Sequence, residues 1–336
     1  MRSFLRPLAG LTCLFALATA GCSGTAEHES QEHDSQKQVS QEHQSPTAYA
    51  PYVDATEASA HDAAGSPASY NLAFVISDDS ACTPRWNGTH AVDDATVASR
   101  IAALKKNGAR VRVSFGGASG TELAATCDSV SALAEAYGAA LDAAGSTQAD
   151  FDIEGDALTD SASIALRSRA IARLQRERPG LSVTFTLPVM PSGLDADGLA
   201  LLASANTYDV QVSTVNLMTM NYGESYDGDM GDYAITSVTA AHAQLAEVFG
   251  TSAAAAWKAM ALTSMIGVND VAGETFTLSD AAQVRTFAEG EGMGWVSMWS
   301  AFRDQQCGAD ASTEDALTTC SGVRQESGAF AKAFSR

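Results

Sequence analysis

Basic residues are scarce in this chain. Its 336 residues carry 20 Lys and Arg against 40 Asp and Glu, a formal net charge of −20, and no Lys/Arg cluster occurs beyond the first few positions. That balance excludes a phosphate-tracking surface and with it nucleic-acid binding. It also disfavours an anionic polysaccharide, so a neutral substrate is expected. No C-x-x-C pair or Cys/His spacing is present, and neither a metal nor a cofactor is expected. His61, His90 and His242 have no partner pattern and read as ordinary side chains. There is no G-x-S-x-G, which leaves a Ser nucleophile unsupported. The apolar stretch Leu8 to Ala20 is too short to span a bilayer.

That stretch has a different use. Arg2 and Arg6 precede it, and together they form the positive and apolar regions of an export signal over residues 1–21. It ends T-A-G-C, Thr19 to Cys22, which resembles a bacterial lipobox whose Cys becomes a lipid-modified first residue. Thr19 stands where Leu is usual, so ordinary secretory cleavage stays open beside the anchor. Residues 22–48 are Gln, His, Ser and Glu with few apolar side chains, and S-Q-E-H occurs at Ser30 and Ser40. Such a segment buries too little surface to offset its ordering entropy and reads as a flexible tether. His28, His33 and His43 in it are irregularly spaced and read as solvated. An extracellular or cell-surface location follows, with membrane contact only through the lipid.

Of the six cysteines, Cys13 lies in the signal and Cys22 at the lipid site, leaving Cys82, Cys127, Cys307 and Cys320. Four cysteines in an exported domain suggest two disulfides. Sequence alone allows three connectivities; Cys307–Cys320 closes a short local loop, which leaves Cys82–Cys127 as the other pair.

Residues 49–336 alternate strand and helix patterns. β-branched or aromatic runs occur at residues 69–77, 109–116, 150–154, 181–187, 214–220, 260–267 and 294–300, with a weaker first candidate at 50–55. Val97, Ile101 and Leu104, and again Leu133, Tyr137 and Leu141, follow helical spacing. Ser279 is expected to cap a helix carrying Val284 and Phe287, stopped by Gly290. An open doubly wound sheet competes, but the number of strands and the length favour one (β/α)8 barrel, with its active site at the C-terminal ends of the strands.

One of these runs carries chemistry. T-Q-A-D-F-D-I-E-G-D, Thr147 to Asp156, places acids at 150, 152 and 154. On a helix they share no face; on a strand all three point one way while Phe151 and Ile153 point the other. Their Cα atoms are then roughly 6–7 Å apart. Phe151 and Ile153 suit the helix-facing side, so Asp150, Asp152 and Glu154 look into the barrel, with Glu154 at the rim.

D-F-D-I-E-G resembles the D-x-x-D-x-D-x-E signature of glycoside hydrolase family 18, the chitinases and endo-N-acetylglucosaminidases. S-F-G-G at 114–117, V-N-L-M-T-M-N-Y-G at 215–223, M-I-G-V-N-D at 265–270 and W-S-A-F-R-D at 299–304 are similar, in order, to strands 3, 6, 7 and 8 of the bacterial branch. The resemblance implies substrate-assisted cleavage. The substrate's 2-acetamido oxygen attacks, Glu154 is the general acid, Asp152 orients the acetamide, and Asp150 shares a proton with Asp152, a coupling that should keep Glu154 protonated. It implies further that Met218, Met220, Asn221 and Tyr222 line the acetamide pocket and that Trp299 forms the sugar floor. Trp86 reads equally as a surface sugar platform or a packed residue. Two positions depart from the family: Thr147 where the first signature Asp belongs, and Asn221 where Asp is usual. The segment after strand 7 is too short for the α+β domain inserted in deep-tunnel members, implying an open groove and internal cleavage. The expected function is a monomeric endo-acting hydrolase of β-1,4-linked N-acetylglucosamine polymers, chiefly chitin. N-glycan cores, peptidoglycan and a non-catalytic sugar-binding protein are the alternatives.

If Cys22 is lipidated, the protein partitions with membranes, and Cys22→Ala releases it or blocks its processing. Fractionation giving a wild-type protein wholly soluble in the medium and starting beyond Cys22 rejects the anchor and leaves secretion intact.

Overall fold

The computed structural model describes residues 47–78 and 81–336. The export signal, Cys22, the tether histidines and all of the tether but its last two residues lie outside the described residues. Strand β1 comes in two short pieces, Ala48–Tyr49 and Tyr52–Asp54. It is followed by β2 (Ser69–Ser77), β3 (Arg110–Gly116), β4 (Gln148–Asp152), β5 (Ser182–Pro188), β6 (Val212–Met218), β7 (Met260–Met265) and β8 (Trp295–Trp299). From β2 to β8 each strand pairs in parallel with the next in the chain.

β1 closes the ring. Its first piece pairs with β8, Ala48 opposite Trp295 and Tyr49 opposite Val296, and its second pairs with β2 from Tyr52–Asn71 to Asp54–Ala73. Pro51 lies at the break, where its missing N–H cannot serve a ladder. The Ala50 N–H still donates to Val296 O at 2.9 Å, and Asn71 N–H donates to Pro51 O at 2.9 Å. The chain is thus held by both neighbours through the interruption. Ala48 and Tyr49 belong to this strand, and the Thr47 hydroxyl reaches the carbonyls of Ala288 (3.2 Å) and Met293 (2.9 Å). Thr47 and Ala48, expected in the tether, therefore belong to the folded domain, because backbone pairing and two side-chain bonds hold them.

Helices α1 (Ala95–Lys105), α2 (Val130–Ala144), α3 (Ser161–Glu177), α4 (Ala196–Thr207), α5 (Met230–Phe249), α6 (Leu278–Glu291) and α7 (Ala329–Phe334) follow β2 to β8. After β1, bends and turns over residues 55–65 stand in place of a helix. The expected buried faces occur: Val97, Ile101 and Leu104 in α1, and Leu133, Tyr137 and Leu141 in α2. The limits of α6 differ from expectation. Thr277 is its N-cap and forms a reciprocal capping box with Asp280, leaving Ser279 inside the first turn. The helix runs through Gly290 and stops at Gly292, which takes the left-handed conformation at φ 73°.

Two disulfides form, Cys82–Cys127 and Cys307–Cys320. The first joins the loops after β2 and β3; the second closes the segment after β8. Trp86 is packed and not a platform: it is fully buried in a hairpin against the end of β2, and its indole N–H donates to Val92 O at 3.3 Å. Only residues 266–277 separate β7 from α6, and they hold the small antiparallel ladder Gly267–Val268 with Thr275–Phe276.

The alternation on β4 is realised on both faces. Phe151 and Ile153 are fully buried on the helix side. Phe151 meets Phe115, Tyr137 and Phe185 at ring-centroid distances of 5.3, 5.0 and 5.8 Å. Phe151→Ala removes the middle ring of this cluster and is expected to destabilise the domain by about 3–5 kcal/mol, read as a lower midpoint in urea unfolding with little change in slope.

Candidate active site

Asp150 and Asp152 point inward from β4. Asp150 is fully buried, and a carboxylate there needs donors. Three hydroxyls from three strands supply them: Ser114 on β3 at 2.6 Å, Tyr52 on β1 at 2.8 Å and Thr186 on β5 at 2.7 Å. Asn216 on β6 extends the network, donating to Thr186 at 3.0 Å and Thr263 on β7 at 2.9 Å. Arg112 lies one layer further down and donates to Asn71.

The next layer up is Asp152, and above it the chain leaves the strand. Glu154 adopts extended φ/ψ and stands immediately before a short helix, Gly155–Thr159, so its side chain is free to face the cleft. Room for this comes from the S-F-G-G turn. Gly116 has φ +97°, and a Cβ there would collide with the Asp152 carbonyl oxygen; the Gly117 N–H donates to that same oxygen at 2.9 Å.

Asp152, Glu154, Met218, Met220, Asn221 and Trp299 line one cavity at the C-terminal ends of the strands. Trp299 packs on Phe74 at 5.5 Å between centroids and meets Tyr52 edge-on at 5.9 Å. Past Trp299 the surface continues into a second hollow that shares Phe74, Ala118 and Trp299 with the first. A third shares Asp54 and Phe302 with the second.

Burial pushes all three carboxyls above their ordinary range. For Asp150 the three hydroxyl donors and Arg112 oppose that push. Asp152 is raised well above the ordinary value: after burial, the charges of Glu154 and Asp150 act on it, and a hydrogen bond with Glu154 adds to the rise. The same bond pulls Glu154 down, while the charge of Asp270 pushes it up. One Asp152 oxygen, Oδ1, is buried without a partner. Both oxygens of Asp150 are engaged by hydroxyls.

Tyr222 does not line the cavity. Its ring is buried against Tyr226 and Tyr233, at 5.8 and 6.0 Å, on the helix side of the loop after β6. Burial holds its hydroxyl above the ordinary phenol value. The side chain turns outward because Asn221, at φ +55°, reverses the backbone. Thr147 is exposed just ahead of β4, at the end opposite the cleft. Sequence reasoning missed Tyr52, Phe74, Ala118, Thr186, Thr263 and Asp270, all lining the cavity. Asp270 had a signal, as the last residue of M-I-G-V-N-D; Tyr52 lay in the weakest strand candidate. Among the described residues no group of His, Cys, Asp or Glu has the makings of a metal site.

No protein-family model matches the chain. It is 36% identical over 282 residues, 78% of its length, to a protein of Escherichia coli K12 named "Probable bifunctional chitinase/lysozyme". It is 35% identical over 248 residues to "Endochitinase 11" of Metarhizium anisopliae. It spans 31% and 47% of the lengths of these two relatives. Its fold matches crystal structures of active domain 2 of a Pyrococcus furiosus chitinase with a TM-score of 0.76 and 28% identity, over 86% of this chain and 94% of that one. A GH18 chitinase from Pseudoalteromonas aurantia, at 15% identity and a TM-score of 0.56, shares the fold. An eight-stranded ring, an inward acid ladder on its fourth strand and these relatives point the same way: the chain is similar to chitinases and shares the fold of glycoside hydrolase family 18.

Proposed function

We propose that this protein hydrolyses β-1,4-linked N-acetylglucosamine polymers, chitin foremost, at internal bonds and with retained configuration. The observation that carries the reading is the Asp152–Glu154 pair in one cavity, with burial raising both carboxyls and a buried oxygen, Asp152 Oδ1, left without a donor. An acetamide N–H is a donor of the right kind. Its approach favours the Asp152 anion and a proton on Glu154, which then protonates the departing glycosidic oxygen. The acetamide oxygen, held in place by Asp152, attacks the anomeric carbon, and the resulting positive ring faces the Asp152 carboxylate. Water, deprotonated by Glu154, opens the ring, and two inversions restore the β configuration.

Trp299 supplies an apolar floor for the sugar face, and Met218 and Met220 flank the space beside it. The continuation of the groove past Trp299 to Phe302 suits a chain of several sugars. One of the Pyrococcus furiosus structures is a complex with chito-oligosaccharides, which supports the same substrate class here. A second substrate, peptidoglycan, is favoured by the name of the Escherichia coli relative, chitinase/lysozyme. The net charge of −20 weighs for the neutral polymer. Export fits the Arg2/Arg6 leader and the two disulfides. The protein is proposed to act as a monomer, tethered through Cys22.

Glu154→Gln preserves side-chain shape and is expected to keep the melting temperature and chito-oligomer binding while lowering kcat by about 10²–10⁴-fold. Mass spectrometry of products from chitin oligomers and from peptidoglycan ranks the substrates, and chains lacking the acetyl group at the cleavage position should survive. Unchanged turnover in the Gln variant, or cleavage of deacetylated chains at a comparable rate, removes the assignment.

A further inference from the structure

Asn221 and Asp270 form a closed pair across the mouth of the cavity. The Asn221 side-chain amide donates to Asp270 Oδ2 at 3.0 Å, and the Asp270 backbone N–H donates to Asn221 Oδ1 at 3.1 Å. Both partners are further fixed. Asn221 sits at φ +55°, a left-handed conformation that Asn and Asp tolerate better than most residues. Glu274, from the same short ladder segment that carries Asp270, accepts the Gly223 N–H at 2.8 Å. Asn269, beside Asp270, donates to the carbonyls of Met265 and Gly267 at 2.9 and 3.0 Å. The loop after β6 and the loop after β7 are therefore stapled together, and the staple aligns one carboxylate.

That carboxylate lines the same cavity as Asp152 and Glu154. No Lys, Arg or His lines the cavity among the described residues. Three carboxyls in one partly dry hollow without a cation repel one another, and the cheapest relief is for one to keep a proton. The Asn221 amide lowers this cost for Asp270, since it hydrogen-bonds that carboxylate. Asp152 and Glu154 have no such amide, so the proton stays with them. Asn221 itself commits one amide N–H and its carbonyl oxygen to Asp270, which fixes the orientation of the side chain.

We propose that Asp270, held by Asn221, is the fixed negative charge that retains a proton on the Asp152–Glu154 pair for glycoside cleavage, with Asn221 acting as its positioning residue. The inference rests on Glu154 as the general acid. The groups facing Glu154 are Asp152 on its own strand, Asp150 beneath it, Tyr52 from β1 and Asp270 from the loop after β7. Burial raises Glu154, the Asp152 hydrogen bond lowers it, and Asp270 raises it again. A general acid works below its pKa, so a charge that raises it extends activity to higher pH.

Asp270→Asn removes the charge at nearly constant shape. The alkaline limb of kcat/KM should move to lower pH by roughly half a unit to one unit, with the melting temperature little changed. The double variant Asn221→Asp/Asp270→Asn exchanges the two groups, restores one carboxylate and one amide to the staple, and should bring the limb back toward the wild-type position. A structural role alone would not give this rescue. A carboxyl ¹³C NMR titration of Glu154 in the free protein reads the same shift without turnover, so this inference and the hydrolase reading fail separately. An unmoved titration in folded Asp270→Asn overturns the proposal. So does a loss of rate beyond about 10³-fold at every pH, which would make Asp270 a nucleophile or base in a two-carboxylate mechanism.

Discussion

The fully buried Asp150 carboxylate holds the site and the ring to a single geometry. It accepts from β1, β3 and β5 at once, and each bond demands that its strand stand in one register relative to β4. A one-residue slip of any of them would turn the hydroxyl to the opposite face and leave a buried charge short of a donor. The constraint is tightest for β1, the two-piece strand that closes the ring. Tyr52 is its contribution, and the ring it carries also packs edge-on against Trp299. Strand register, ring closure and the position of the sugar floor are thus coupled through one side chain.

The legibility of the sequence follows from the range of the interactions. The ladder on β4 was readable because its period is local: five residues decide which side chains point inward, and Phe151 and Ile153 confirm the choice by their own burial. The helices with Val97–Ile101–Leu104 and Leu133–Tyr137–Leu141 were readable for the same reason. Helix ends were less so: Ser279 is as good a cap by type as Thr277, and only the reciprocal bond to Asp280 selects between them. The partners of the acids were hidden. Tyr52 meets Asp150 across 98 residues and Asn221 meets Asp270 across 49, and nothing in either local pattern announces its partner.

The loop after β6 shows where a motif misleads. Asn221 and Tyr222 are adjacent in V-N-L-M-T-M-N-Y-G, yet the positive φ at Asn221 sends one side chain to the cavity and the other into a cluster of tyrosines. Motif membership placed both beside the substrate; backbone geometry admits one. The same turn explains why Asn is compatible here: the position must sustain a left-handed backbone while its amide serves the neighbouring loop. Thr147, the other departure, lies at the far end of the strand, where it touches none of the groups that define the cleft.

The entry of the chain into the barrel has a mechanical corollary. Thr47 and Ala48 bind the Ala288, Met293 and Gly294 carbonyls, at the end where the strands begin, whereas the acids and Trp299 lie where the strands finish. The described chain therefore enters the barrel at its base. A force applied at residue 47 is taken up by the β1–β8 ladder and the end of α6, at the end of the barrel opposite the cavity.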